Sequence, residues 1–183
     1  MKKSKCIHPR KAQRLMEKFV NEISPLYHLC DDDTYEKTEI LVKQDDYFAS
    51  DSIDSTLEYD QIAITYNFDE LWDESAKLFR AYWSKRYPLT KGFADITISL
   101  LHELAHLIVN DEIRKTFSYK DRALAIAAID LRAQDYKEKC DLYFGMPDEV
   151  AATEWGLNWL SINENAKKAK AFEKEFFKCF VKE

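Results

Sequence analysis

The spacing of apolar residues changes period several times along the chain, and each change predicts an element. Ala12, Leu15, Met16, Phe19, Val20 and Ile23 recur every three or four residues over 10–23, the mark of an amphipathic helix, here led in by Pro9. Glu39-Ile40-Leu41-Val42-Lys43 is a short run that predicts a strand. From Glu58 to Phe68 the period becomes two. Ile62, Ile64, Tyr66 and Phe68 share one face and Gln61, Ala63, Thr65 and Asn67 the other, which predicts a half-buried strand. Residues 44–57 hold Asp45, Asp46, Asp51 and Asp54 and read as a solvated loop.

Beyond the strand the helical period returns. Asp69 is placed to cap a helix running to Arg86, with Trp72, Ala76, Phe79, Tyr82 and Trp83 inward and Pro88 ending it. Phe93 to Val109 contains no Pro or Gly and is apolar on nearly every side, as a buried helix should be. Thr90 and Gly92 offer its entrance and Asn110-Asp111 its exit. A further helix is predicted over 119–139, with Ala123, Ile126, Ala127, Leu131 and Ala133 apolar. Another runs from Pro147 to about Leu160, and a last one spans 164–181, lysine-rich outside and with Ala169, Phe172, Phe176 and Phe180 inside. The fold class this implies is α+β and mostly helical. A small antiparallel sheet from about 39 to 68 is expected to pack against the 93–109 helix.

Length and composition narrow the class. The 183 residues suffice for one domain with a proper core, and no linker or repeat divides them, so a single domain over 1–183 is expected. A hydrophobic content of 46% argues for a packed globule. A net charge of −6 gives no support to nucleic-acid binding. Cys6, Cys30, Cys140 and Cys179 form no C-x-x-C pair, so neither a zinc knuckle nor a disulfide framework is expected. The first residues are charged with no apolar run after them, and no stretch has the length of a membrane span. A cytoplasmic protein with reduced thiols and no membrane partner is expected.

The chemistry sits in the buried helix. His102-Glu103-Leu104-Ala105-His106 is an H-E-x-x-H run. On a helix it turns two imidazoles to one face, where both can reach one metal ion. The glutamate between them serves such sites as a general base rather than a ligand. A catalytic zinc also takes a third protein ligand and keeps a position for water. No histidine follows His106, so a downstream carboxylate is favoured over His8 or His28 folding back. Glu112 has the spacing of a third ligand in the H-E-x-x-H-x-x-G-x-x-H pattern, but Val109 stands where that pattern needs its turning glycine. Glu149 and Glu154 both lie on the 147–160 helix, five residues apart and on different faces, so one at most should point at the metal. Asp95 and Ser99 share the helical face of His102 and are candidates to line the cleft. Tyr143 is a candidate transition-state donor, with Tyr136 and His28 behind it.

Glu149, Ala152, Trp155, Gly156 and Leu160, together with His102, Glu103 and His106, resemble the motif pair of the ImmA/IrrE-like H-E-x-x-H zinc metallopeptidases. The resemblance is specific in these two short motifs only. The chain departs from the pattern at Ala151 and Thr153, where that family usually carries Glu and Asn, and it has an extra helix between the motifs. What the resemblance implies is a zincin-like fold and one Zn2+ per chain, held by His102, His106 and Glu149, with Glu154 the alternative. It also implies Glu103 as the catalytic residue and a protein or peptide substrate such as a repressor or mobile-element regulator. A metal-binding regulatory protein of zincin fold without proteolysis is the alternative function.

Overall fold

The structure, a computed structural model, describes residues 4–30, 34–44, 49–50, 61–66 and 74–182. Among the described residues fourteen α-helices and strands follow in order. They are β1 (Ser4–Cys6), α1 (Pro9–Ile23), β2 (Tyr27–Leu29), β3 (Tyr35–Lys37), β4 (Glu39–Gln44), β5 (Ala49–Ser50), β6 (Gln61–Tyr66), α2 (Glu74–Arg86), α3 (Asp95–Arg114), α4 (Tyr119–Arg132), α5 (Tyr136–Tyr143), α6 (Pro147–Ser161), α7 (Asn163–Phe176) and β7 (Phe180–Lys182). The α+β class and its helical majority are as expected.

The sheet corrects the expected pairing. β4 and β6 run parallel, Ile40 opposite Ile62 and Val42 opposite Ile64, while β5 pairs antiparallel on the far side of β6. The stretch 45–60 exceeds the roughly dozen residues that a parallel return needs, so nothing forces β4 and β6 into a hairpin. As the central strand, β6 is covered on both faces. Ala63 is buried along with Ile64 and Tyr66, where the two-residue period predicted a solvated side. The loop expected over 44–57 contains β5 and the end of β4, and Asp45, Asp46, Asp51 and Asp54 lie outside the described residues. So do Glu58, Asn67, Phe68, the expected cap Asp69 and Trp72.

Helix boundaries move where a capping group decides them. α3 runs through Asn110 and Asp111 to Arg114, because nothing there breaks a helix and Arg114 suits its C-terminal turn. The predicted helix 119–139 is two. Asp135 adopts an extended backbone and its carboxylate accepts from the Glu138 N–H, opening α5. α4 is a surface helix. Ile129 is its buried residue and Leu131 is 88% exposed. α7 stops at Phe176, and the chain then forms a 3-10 turn and β7, which pairs with β1 and joins the two ends of the chain.

The core lies between α1, α7, the sheet and α3. Met16, Phe19 and Val20 of α1 meet Phe172 and Phe176 of α7, with Phe19 and Phe172 stacked 4.5 Å apart. α3 and α6 form the most extensive helix pair. Gly156 permits this closeness, since a Cβ there would stand 3.2 Å from the Leu101 Cβ. The start of α3 is held by α7. The buried Glu173 carboxylate accepts from the Ala94 N–H and, at 2.8 Å, from the Thr97 hydroxyl, placing an anion at a helix N-terminus.

Candidate metal centre

Leu101 and Gly156 set α3 and α6 side by side, and the neighbouring turns of both helices turn ligating groups toward each other. His102 is buried, and His106 stands half-buried one turn further along. Glu149 occupies the first turn of α6, behind Met146 and Pro147. His102 Nε2 lies 3.0 Å from Glu149 Oε2, His106 Nε2 lies 3.1 Å from His102 Nε2, and His106 Nε2 lies 3.5 Å from Glu149 Oε2. His102, His106 and Glu149 therefore form a buried group able to hold a metal ion.

These separations suit such an ion. With nitrogen and oxygen bonds of about 2.0–2.1 Å, tetrahedral donors stand roughly 3.3 Å apart, close to the spacing seen. The donor set, two imidazoles and one carboxylate, is one that borderline divalent ions accept. His102 and Glu149 are also oriented from behind. The Thr153 hydroxyl lies 3.2 Å from His102 Nδ1, leaving Nε2 for the site. The Trp83 ring, 5.4 Å from the His102 ring, closes the apolar wall.

Glu149 divides its two oxygens. Oε2 faces the histidines, and Oε1 accepts from Arg122 Nη2 at 3.0 Å. Arg122 also donates from Nε to Asp148 Oδ2 at 2.6 Å and from Nη2 to the Tyr143 hydroxyl at 2.8 Å. Its position follows from the local sequence. Ser118 and Asp121 form a reciprocal capping box that opens α4, and Arg122 comes one residue later. Asp148 and Glu149 are 1% and 2% exposed. First-turn acids on a helix are ordinarily solvated, so burial of both requires these cations. Arg114 Nη2 adds a second cation 3.6 Å from Asp148 Oδ2.

The electrostatics follow from the packing. Burial opposes ionisation of Glu149, but hydrogen bonds from His102 and His106 outweigh it and hold the carboxyl well below its usual range. Burial works against the charge on His106 too, yet its contact with Glu149 and the nearby charges of Glu103 and Asp148 raise its pKa. Burial and the Glu149 charge push Tyr143 up, so its hydroxyl stays protonated and donates to Glu149. The same contact with Arg122 and Glu149 ties Tyr143 to the back of Glu149.

The remaining sequence candidates separate cleanly. Glu154 is exposed on another face of α6, and Glu112 is exposed and paired with Lys115. His8 precedes α1 and His28 lies on β2, both outside this cluster. Asp95 pairs with Arg80 of α2 through both carboxylate oxygens, at 3.0 and 3.1 Å, which is a helix-to-helix tie. Ser99 is half-buried on α3, and Tyr136 is 50% exposed on α5. Glu103 is half-buried on α3, close enough for its charge to raise His106. Sequence reasoning missed Arg122, Arg114 and Asp148 and took Thr153 only as a departure from a pattern. The acid pair after Pro147 and the Ser118-x-x-Asp121 box were the available signals.

Comparison with family models, with curated proteins and with solved structures gives no match. Among the described residues no helix is long and apolar enough to cross a membrane.

Proposed function

We propose that the protein is a zinc-dependent metallopeptidase acting on a protein substrate in the cytoplasm. The observation that carries this reading is the convergence of His102 Nε2, His106 Nε2 and Glu149 Oε2 in one buried cluster, with the Glu103 charge at its edge. A zinc ion bound there supplies Lewis acidity, making water a nucleophile near neutral pH and polarising a carbonyl. His102 and His106 would hold the ion through Nε2, and Thr153 would keep the His102 ring turned toward it. Glu149 lends one oxygen while Arg122 fixes the other. Glu103 accepts the proton of the attacking water and returns it to the amide nitrogen that leaves. By the motif resemblance, the substrate is an intracellular regulator of the repressor type.

Glu103→Gln tests this reading. The variant should hold zinc as the wild type does, capture a partner from the host proteome and leave it intact, while the wild type cuts that partner at one site. A partner that both proteins bind and leave whole would make this a metal-binding regulator and overturn the peptidase reading.

A further inference from the structure

A second ligating cluster lies on the hairpin that follows α1. β2 and β3 pair antiparallel with His28 directly opposite Glu36, which brings their side chains to one face of the ribbon. Cys30 follows His28 by two residues, and strand alternation returns it to that same face. The ligand atoms of His28, Cys30 and Glu36 all lie within 4.8 Å of one another. Thr38 Oγ1 stands 3.5 Å from His28 Nδ1, which leaves Nε2 as the ligating nitrogen.

The frame around these side chains is tied down on both sides. The Cys30 N–H donates to the Thr34 carbonyl at 2.8 Å, and the Thr38 N–H donates to the Leu26 carbonyl at 3.0 Å. Lys37 Nζ donates to the Asn21 carbonyl of α1. Three donors of different kinds are thus presented on an anchored ribbon, at the distances a single ion can draw together.

The geometry points to a second metal site at His28, Cys30 and Glu36, taking a borderline divalent transition ion of the zinc class. Thiolate and imidazole are poor ligands for calcium or magnesium and good ones for zinc or cobalt. Binding replaces the thiol proton, leaves a fourth position for solvent and clasps β2 to β3. The site shares no ligand with His102, His106 and Glu149, so it stands apart from the proposed peptidase activity.

Cobalt alone distinguishes the two sites, because only the hairpin cluster contains a thiolate. Cobalt added to metal-free, reduced, full-length protein should produce a near-ultraviolet thiolate-to-metal charge-transfer band. The band should persist in Glu149→Gln, vanish in Cys30→Ser and need more cobalt in His28→Ala. Should Cys30→Ser not fold, His28→Ala carries the test, since it keeps the thiol and removes one ligand. No band at saturating cobalt overturns the site. A band that survives Cys30→Ser, or a titration unaltered in His28→Ala, overturns it equally by assigning the metal to another cysteine.

Discussion

Arg122→Met removes the cation that serves Asp148, Glu149 and Tyr143 while keeping most of the side-chain stem. In the native protein this guanidinium contacts Asp148 Oδ2 at 2.6 Å and Glu149 Oε1 at 3.0 Å. Asp148 Oδ1 already lacks a hydrogen bond among the described residues, and Arg114 at 3.6 Å would be the remaining cation beside Oδ2. Breaking one partner of a buried ion pair costs about 3–5 kcal/mol. Arg122 is 27% exposed and Arg114 offsets part of the loss, so a smaller cost, about 2–3 kcal/mol, is expected. In a chain of this length each kcal/mol moves Tm by about 2–4 °C, giving a fall of ~4–12 °C. Zinc affinity should fall as well, by roughly 10–100-fold, because Glu149 loses the donor that fixes its second oxygen. Thermal unfolding and competition with a chromophoric chelator measure the two effects. Adding Asp148→Leu removes one of the two carboxylates that Arg122 served, so the double variant should regain part of the lost stability but not zinc affinity. Unchanged Tm and unchanged affinity in Arg122→Met would refute the claim that this network supports the third ligand.

Three further outcomes are expected. In metal-free protein, the lowered pKa of Glu149 contributes stability above its ordinary 4.5 that is lost on acidification. The raised pKa of His106 contributes below its ordinary 6.5 and is lost as pH rises through the raised value. Metal-free protein should therefore melt highest between those values, while the Tm gained on adding zinc should grow as pH rises past them, because the ion replaces a proton; a gain independent of pH counts against the assignment. Gly156→Val should cost about 1–3 kcal/mol by over-packing against Leu101. It should also weaken zinc binding by shifting His102 relative to Glu149, and lost stability with full affinity would show that the two helices do not set the site. Glu173→Ala strands the Ala94 N–H and the Thr97 hydroxyl at the start of α3 and should cost about 1–3 kcal/mol in denaturant unfolding with zinc stoichiometry unchanged.

The parts legible from sequence were those encoded locally. His102 and His106 are one helical turn apart, so their common face needs only the helix itself. The inward faces of α1 and α7 were read correctly from Met16, Phe19, Phe172 and Phe176 because each faces a single core. Glu149 was preferred through a resemblance; no periodicity marks it, because its burial depends on Arg122 of α4. The Asp135 cap was readable and was overridden by apolar spacing that continued across it. Pairing of β4 with β6 and of β1 with β7 joins distant segments, and neither partner carries a mark of strand direction. Leu131 and Leu124 fit a helical period without marking a core face, since α4 stands at the surface.

The central claim is that one zinc ion sits among His102, His106 and Glu149. Anomalous diffraction from zinc-loaded crystals, recorded on both sides of the zinc absorption edge, tests it most directly. The account predicts a peak within bonding distance of His102 Nε2, His106 Nε2 and a Glu149 carboxylate oxygen. Fully zinc-loaded crystals with no peak between these three side chains, whatever is found at the hairpin, would contradict it.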